Sequence, residues 1–383
     1  MNNQSIILVA PVNWGLGHAA RCIPIIRELL EVGHQVIIGS DGAALQLLGK
    51  EFPNLKLVVL PPYEIEYASE GDSFKKSMLK QSPRILRAIR KEHRVLNKLI
   101  TQYNITGIIS DNRLGLYTKR VPTVYITHQL DVLSGSTTWL TTKMHRFFIK
   151  KFDECWVPDV ADKKAGLSGQ LGHPKALKFP INYIGPISRF QKEDLPFTYN
   201  VLALISGPEP QRSKLEEILK KELKKYKGSV LLVRGVISDE EEPVVKGNMT
   251  LVNYLTSRDL QAAINSSKFI ISRSGYTTIL DLAVLEKRAF FIPTPGQTEQ
   301  EYLAKRLDKK GIIPYTSQEN FTVKKLAKVT VYKGFNSLAY DGKLRNFFNL
   351  FEGKRKLRSN SKFTFNINFL FVRLNNMFNN RQA

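Results

Sequence analysis

Little in this chain offers itself for cross-linking or for metal. It has two cysteines, Cys22 and Cys155. That is too few for a disulfide framework or a cysteine-rich metal site, and it suits a reducing, cytoplasmic setting. There is no Asp-x-Asp, no His-Glu-x-x-His and no other cluster with ligand spacing, so no metal site is expected. A run of about 18 apolar residues, the length that spans a bilayer, is also missing. Residues 1–10 lack a basic leader and run straight into a strand, so no secretory signal is expected. Acidic residues are the scarcest of all relative to their partners. The chain has 57 Lys plus Arg against 34 Asp plus Glu, a net charge of +23. Such a surplus selects anionic partners: nucleic acid, acidic lipid or phosphorylated small molecules. No reader motif with aromatic platforms accompanies it, which argues against nucleic acid.

What is there is a 383-residue chain, long enough for two domains with separate cores. Short β-branched runs alternate with amphipathic stretches, the signature of parallel α/β sheets. Strands are expected at Ser5–Ala10, Gln35–Gly39, Leu55–Leu60, Gly107–Ser110, Thr123–Thr127 and Glu154–Pro158. A second series follows at Val201–Ile205, Ser229–Val233, Leu251–Asn253, Phe269–Ile271 and Ala289–Pro293. Pro and Gly punctuate Lys178–Phe190 between the two series and place a boundary near Pro186. The expected organisation is therefore residues 1–186, residues 187–340, and a basic tail 341–383 biased to Asn and Phe. A helix within 340–352 is expected to return to the first domain. The remainder of the tail has no core pattern and reads as a flexible extension.

The most informative stretch is Phe269 to Leu307. A buried-strand run leads into Ser272-Arg273-Ser274-Gly275. A helix follows with Ile279, Leu282, Ala283 and Leu285 near one face, then the strand Ala289–Pro293, the turn Thr294–Gln297 and a further helix. Both turns belong at the carboxyl edge of the sheet, where ligands bind in such folds. Ser274 and Gly275 put bare N–H groups at a helix start, a setting for phosphate. Asp281 lies two turns into that helix.

Ser272-Arg273-Ser274-Gly275, Thr278, Asp281, Pro293-x-Pro295 and Gln300 together resemble glycosyltransferase family 28, which includes the GlcNAc transferases of peptidoglycan synthesis. The resemblance implies two Rossmann-like domains facing a cleft, the GT-B type, with this block holding a nucleotide sugar. By it the helix start meets the pyrophosphate, the acid takes the ribose hydroxyls, and the Gln turn with Glu301 reads the sugar. Asp281 stands where Glu is usual, and Glu301 where a second Gln is common. The loop Ser206-Gly207 keeps one glycine of a Gly-rich donor-phosphate contact, which then falls to Ser206. Arg234 sits where a loop covers the nucleotide, and Arg273 or Arg234 is expected to meet phosphate.

In the first half, the loop around Asn13 runs into Gly15-x-Gly17-His18, the start of a helix ending at Gly33. Gly15-x-Gly17-x-x-Ala20 with Asp41 after the next strand also fits a dinucleotide fingerprint, which makes an NAD enzyme a competitor. The resemblance instead places Gly15, Gly17 and His18 beside the acceptor. The positive helix end lowers an imidazole pKa, so His18 suits a neutral base near pH 7. Asp111 and His128 end strands at the same sheet edge. Asp111 is a candidate to orient His18 or bind acceptor, and His128 is a second candidate base. Each is as readily a capping or turn residue.

Lys75, Lys76, Lys80, Arg84, Arg87, Arg90, Lys91, Arg94 and Lys98 share a segment with Glu92 alone to oppose them. Ser82-Pro83 reads as the opening of a helix there. Cationic amphipathic helices suit anionic membrane surfaces, and they are also ordinary solvated faces. Lys143, Arg146, Lys150 and Lys151 form a second basic group around Phe147-Phe148-Ile149.

The expected activity is a metal-independent, inverting transfer of a sugar, GlcNAc by resemblance, from a UDP-sugar to a lipid-linked or cell-envelope glycan. The UDP-sugar is then a substrate and no cofactor is needed. The expected location is cytoplasmic, peripheral on the inner membrane face. Two other classes remain: a UDP-GlcNAc 2-epimerase of the same fold, using Glu299, Glu301 and Asp111 as acid and base, and a basic nucleic-acid binder.

Overall fold

The computed structural model describes residues 4–63, 74–132, 138–174, 179–236, 242–335 and 343–352. Side chains 74–82, 140 and 352 are outside that description. Met1–Phe351 forms one compact unit.

The first sheet takes β1 (Ile6–Pro11), β2 (Gln35–Ser40), β3 (Lys56–Val59), β4 (Gly107–Asp111), β5 (Thr123–Ile126), β6 (Glu154–Val157) and β7 (Ile181–Tyr183). Their order is β3-β2-β1-β4-β5-β6-β7, all parallel. The helices are α1 (Leu16–Glu31), α2 (Gly42–Glu51), α3 (Phe74–Gln102) and α4 (Thr138–Ile149). Strands such as β4 are buried along their whole length, which is why they read as continuous apolar runs.

The second sheet takes β8 (Tyr199–Leu204), β9 (Val230–Val233), β10 (Val244–Lys246), β11 (Met249–Val252), β12 (Ser267–Ser272) and β13 (Arg288–Phe291), in the order β10-β11-β9-β8-β12-β13. Only the edge pair β10–β11 is antiparallel. Its helices are α5 (Gln211–Leu223), α6 (Ser257–Asn265), α7 (Tyr276–Val284) and α8 (Thr298–Lys309).

The structure corrects one local expectation. Helix α3 begins at Phe74 and carries Pro83 inside it rather than at its opening. The straight-chain residues Lys75, Lys76, Met78, Leu79 and Lys80 favour helix strongly enough to extend it through one proline. The cap of α6 is Thr256, whose hydroxyl accepts from the Asp259 amide, so Ser257 is the first helical residue. The edge strand β10 and the short β7 and α2 escaped the sequence patterns.

After the second sheet the chain returns to the first. Phe347, Phe348 and Phe351 pack around the fully buried Trp156. Ser5 Oγ donates to the Phe351 carbonyl at 3.2 Å, and Arg345 pairs with Glu28 at 2.7 Å. Among the described residues no helix is long and apolar enough to cross a membrane.

Candidate active site

Each sheet has a point where two neighbouring parallel strands send the chain off in opposite directions: between β1 and β4 in the first, between β8 and β12 in the second. At such a point the loops leaving two neighbouring strands part and open a crevice. The loops at these two points are those carrying His18, Asp111, Ser206 and Gly275.

In the first crevice, Gly15 caps α1 at φ 81°, a left-handed conformation that glycine adopts without penalty. This turn delivers His18 to the first turn of the helix. Its Nδ1 lies 2.8 Å from Asp111 Oδ1. Asp111 is wholly buried at the end of β4. Arg21, also buried, grips both carboxylate oxygens through Nε and Nη2. Burial alone would raise the Asp111 pKa, but Arg21 and His18 overcome it and hold the carboxylate ionised well below its ordinary range. His18 is itself pushed below the usual imidazole value, by burial first and Arg21 next, against the pull of Asp111. Asn112, at φ 58°, accepts from Tyr125 Oη at 3.1 Å and turns its amide toward His18 Nδ1 at 3.4 Å.

Asn13 takes a different part. Its amide donates to Asp41 at 3.2 Å and its carbonyl accepts from the Ala44 amide, which moors the loop to α2. Asp41 is further paired with buried Arg113. The acid that a dinucleotide ribose would need is therefore engaged inside the protein, which weighs against the NAD reading.

In the second crevice, Ser206 and Gly207 are exposed after β8. Arg273 is buried and spends its N–H groups on acceptors of the fold. Nη1 donates to the Ile292 and Pro293 carbonyls, Nη2 to the Gln211 carbonyl and Gln318 Oε1, and Nε makes a long 3.5 Å contact with the Ser206 carbonyl. It props up the crevice loops and has no donor left for a phosphate. Ser274 Oγ donates to the Gln300 carbonyl at 2.7 Å and ties the start of α7 to α8. Gly275 and Thr278 remain partly exposed at that helix start. Two buried hydroxyls here, Ser272 Oγ and Thr294 Oγ1, have no partner. Gln300 is bound within its own turn, accepting from the Thr294 amide and donating to Gln297, while Glu301 accepts from the Gly296 amide. Arg234 pairs with Glu216 and Asn253, each at 2.7 Å. Asp281 accepts from Ser188 Oγ at 2.6 Å, and burial raises its pKa to about 6 against the opposing pull of Arg189.

The two crevices meet. Thr277 Oγ1 donates to the Gly17 carbonyl at 3.2 Å, and a Cβ on Gly17 would lie 3.0 Å from that hydroxyl, so glycine allows the approach. Tyr276 stacks on His128 with centroids 4.1 Å apart. Arg21 Nη1 lies 3.1 Å from His128 Nδ1, and His128 Nε2 lies 2.8 Å from Glu299 Oε1. An arginine only donates, so His128 Nδ1 accepts and Nε2 carries the proton toward Glu299. With both nitrogens engaged, His128 has no lone pair left to act as a base.

The sequence reading thus brought His18, Asp111, His128 and the α7 start to one place, and missed Arg21 and the bridging role of Glu299. Arg21 had a signal: a charged residue inside the apolar run Ala19–Ile23, three positions after His18 and so beside it on the helix. For the epimerase reading, Asp111 is held by Arg21, Glu299 by His128 and the Gln129 amide, and Glu301 by the Gly296 amide, rather than presented as a paired acid and base.

Beyond His128, a cavity of about 860 Å³ is bordered by Trp139, Phe147, Lys143, Arg146 and Lys150. On α3, Arg84, Arg87, Arg90, Lys91, Arg94 and Lys98 are exposed. Glu92 faces inward, wholly buried against Tyr63 and Arg113, so it does not dilute that cationic face.

Comparison with known proteins agrees with this architecture. Residues 211–343 match the glycosyltransferase family 28 C-terminal domain. An uncharacterized glycosyltransferase of Methanosarcina acetivorans is 23% identical over 336 residues, covering 80% of this chain and 84% of that protein. A UDP-N-acetylglucosamine–N-acetylmuramyl-(pentapeptide) pyrophosphoryl-undecaprenol N-acetylglucosamine transferase of Methylobacterium radiotolerans is 35% identical over 72 residues, 18% of this chain and 20% of that one. The solved glycosyltransferase SnogD from Streptomyces nogalater superposes with a TM-score of 0.59 at 14% identity, covering 85% of this chain and 91% of that one. With two Rossmann-like sheets meeting at their switch points, the chain is a glycosyltransferase with the GT-B fold whose second half, residues 211–343, matches the family 28 C-terminal domain.

Proposed function

We propose that this enzyme moves a sugar, GlcNAc in the first instance, from a UDP-sugar to a lipid-linked or cell-envelope glycan, with inversion and without a metal. The observation that carries the reading is the His18–Asp111 pair at 2.8 Å, set where the start of α7 meets the first domain. His18 Nδ1–H donates to Asp111, and Nε2 takes the acceptor hydroxyl proton. The oxygen attacks the anomeric carbon as its bond to the diphosphate breaks, and the imidazolium that forms is stabilised by ionised Asp111.

The diphosphate is received by backbone N–H groups at Gly275 and the Ser206-Gly207 loop, with Thr278 close by, where the α7 dipole favours negative charge. The free hydroxyls of Ser272 and Thr294 support a polar occupant there. Ribose hydroxyls replace Ser188 on Asp281, exchanging one hydroxyl donor for another. Gln300 and Glu301 shape the sugar turn, and Arg234 lines the nucleotide side. The acceptor enters past Trp139 and Phe147, whose basic rim suits an anionic amphiphile. The acid-free face of α3 supports attachment to an anionic membrane surface.

Calorimetry of the protein against UDP-GlcNAc, UDP-glucose, UDP-galactose, GDP-mannose and TDP-glucose tests the donor assignment. UDP-GlcNAc is expected to bind most tightly, and Asp281→Ala to weaken it about tenfold or more. Absence of binding by every nucleotide sugar overturns the reading.

A further inference from the structure

We propose that Arg21 is a positioning residue for the transfer step, tying the orientation of the His18–Asp111 pair in the first domain to the seating of Glu299 from the second. This rests on His18 being the base.

The geometry is a continuous chain of donors and acceptors. Arg21 sits three residues after His18 on α1 and is 1% exposed. Nε and Nη2 occupy the two oxygens of Asp111, so the carboxylate cannot turn unless the guanidinium moves. The remaining nitrogen, Nη1, is held by His128 at 3.1 Å. His128 is in turn fixed from the other domain, by Glu299 at 2.8 Å along its edge and by Tyr276 across its face. Gln129 donates to the second oxygen of Glu299. The guanidinium is thus located by a side chain on the first turn of α8.

At the other end, Arg21 Nη2 stands 2.8 Å from His18 Nδ1, as close as Asp111 Oδ1 does. Two hydrogens compete for the space at Nδ1. If the imidazole keeps its own, Nδ1–H points to Asp111 and Nε2 is a bare base. If Nη2 donates instead, the imidazole proton moves to Nε2 and the base is lost. A guanidinium anchored by His128 and Glu299 keeps Nε and one hydrogen of Nη2 on the carboxylate, which holds Asp111 Oδ1 turned to accept from Nδ1–H and favours the first arrangement over donation by the second Nη2 hydrogen. Release of Glu299, as on separation of the domains, frees the guanidinium to adopt the second. The charged and titratable groups facing His18 are Asp111 from β4, Arg21 from α1, His128 beyond β5, and Glu299 from α8, with Cys22 of α1 against Asp111. Asn112 adds a neutral donor from the end of β4. The base is therefore set only when the sugar-side turn of the second domain is seated, a built-in guard against proton abstraction in an open cleft.

The test uses the full-length protein without donor or acceptor. Imidazole nitrogen shifts of His18 are recorded by NMR across pH for wild type, Glu299→Gln, His128→Gln and Arg21→Lys. Wild type is expected to hold the Nδ1–H tautomer, and all three variants to mix in at least about a third of the Nε2–H form. In transfer assays, Glu299→Gln and Arg21→Lys are expected to lower kcat about tenfold or more with donor KM changed less than about threefold. Their effects should be non-additive in the double variant, because both act through one chain of contacts. Arg21→Lys should retain more activity than Arg21→Gln. Glu299 is 31% exposed, so Glu299→Gln carries the test even where an Arg21 variant fails to fold. An unchanged His18 tautomer in Glu299→Gln and His128→Gln overturns the proposal. The NMR result needs no turnover. A tautomer change in a protein that transfers no sugar would refute the proposed function and leave the coupling standing.

Discussion

The two crevices are built from opposite materials. That of the first domain is crowded with ionisable side chains: His18, Arg21, Asp111 and His128 lie within one hydrogen-bonded network. That of the second domain offers glycine, hydroxyls and backbone amides, and its arginine, Arg273, is spent on carbonyls. One half of the molecule is equipped to move a proton and the other to receive an anion. A proton acceptor needs a partner that sets its charge and tautomer, whereas an anion held by a helix start needs neither.

The sharpest way to break this division is to remove the base. His18→Ala is expected to lower kcat by about 10² to 10⁴ while leaving donor affinity within about threefold by calorimetry. Comparable loss of both would mean that the first crevice also binds the donor. The complementary change is Arg273→Met. It strips buried carbonyls of their donors, and is expected to cost about 3–5 kcal/mol in chemical denaturation and to abolish donor binding with it. A variant of normal stability that loses only donor affinity would return Arg273 to the phosphate.

The contrast was only partly visible in the sequence. Strand-and-loop periodicity revealed both sheets, because a parallel sheet buried on both faces writes itself as short apolar runs. His18 was legible at the start of a helix after a glycine turn, and Asp111 as a polar residue at a strand end. Their partner Arg21 was legible only as a charge inside an apolar run, since the sequence pattern records burial and not what a buried charge is bound to. The same blindness made Arg273 look like a phosphate ligand. Its motif is as well suited to gathering carbonyls from three neighbouring segments, and only the packed structure tells which. Glu92 was misjudged in the reverse sense. Charge counting set it against the basic face of α3, yet it points inward to Arg113.

A smaller effect separates the acceptor side from the donor side. Trp139 is 60% exposed, and Lys143 lies over its ring at 5.3 Å. Trp139→Ala is expected to raise acceptor KM about tenfold, through loss of an apolar and cation–π surface, with donor KM unchanged. A matching rise in donor KM would place that cavity on the nucleotide path instead.

The finest distinction concerns Asp281, the acid of the second crevice. Burial raises its pKa from 3.8 to about 6 in the folded chain, against Arg189 and Ser188. Between these two values the unfolded chain gives up a proton that the folded chain keeps. The folded state then binds more protons, so this group makes stability fall as pH rises from about 4 to about 6, with no further change above. Asp281→Asn keeps an oxygen acceptor for Ser188 and removes the titration. Relative to wild type, the variant should gain about 1–3 kcal/mol in unfolding free energy between pH 4 and pH 7. Parallel profiles for the two proteins would mean that Asp281 ionises as a solvated carboxylate. The second crevice would then carry a standing negative charge beside the phosphate site, and its description as a receiver of anions built from amides and hydroxyls would fail at that point.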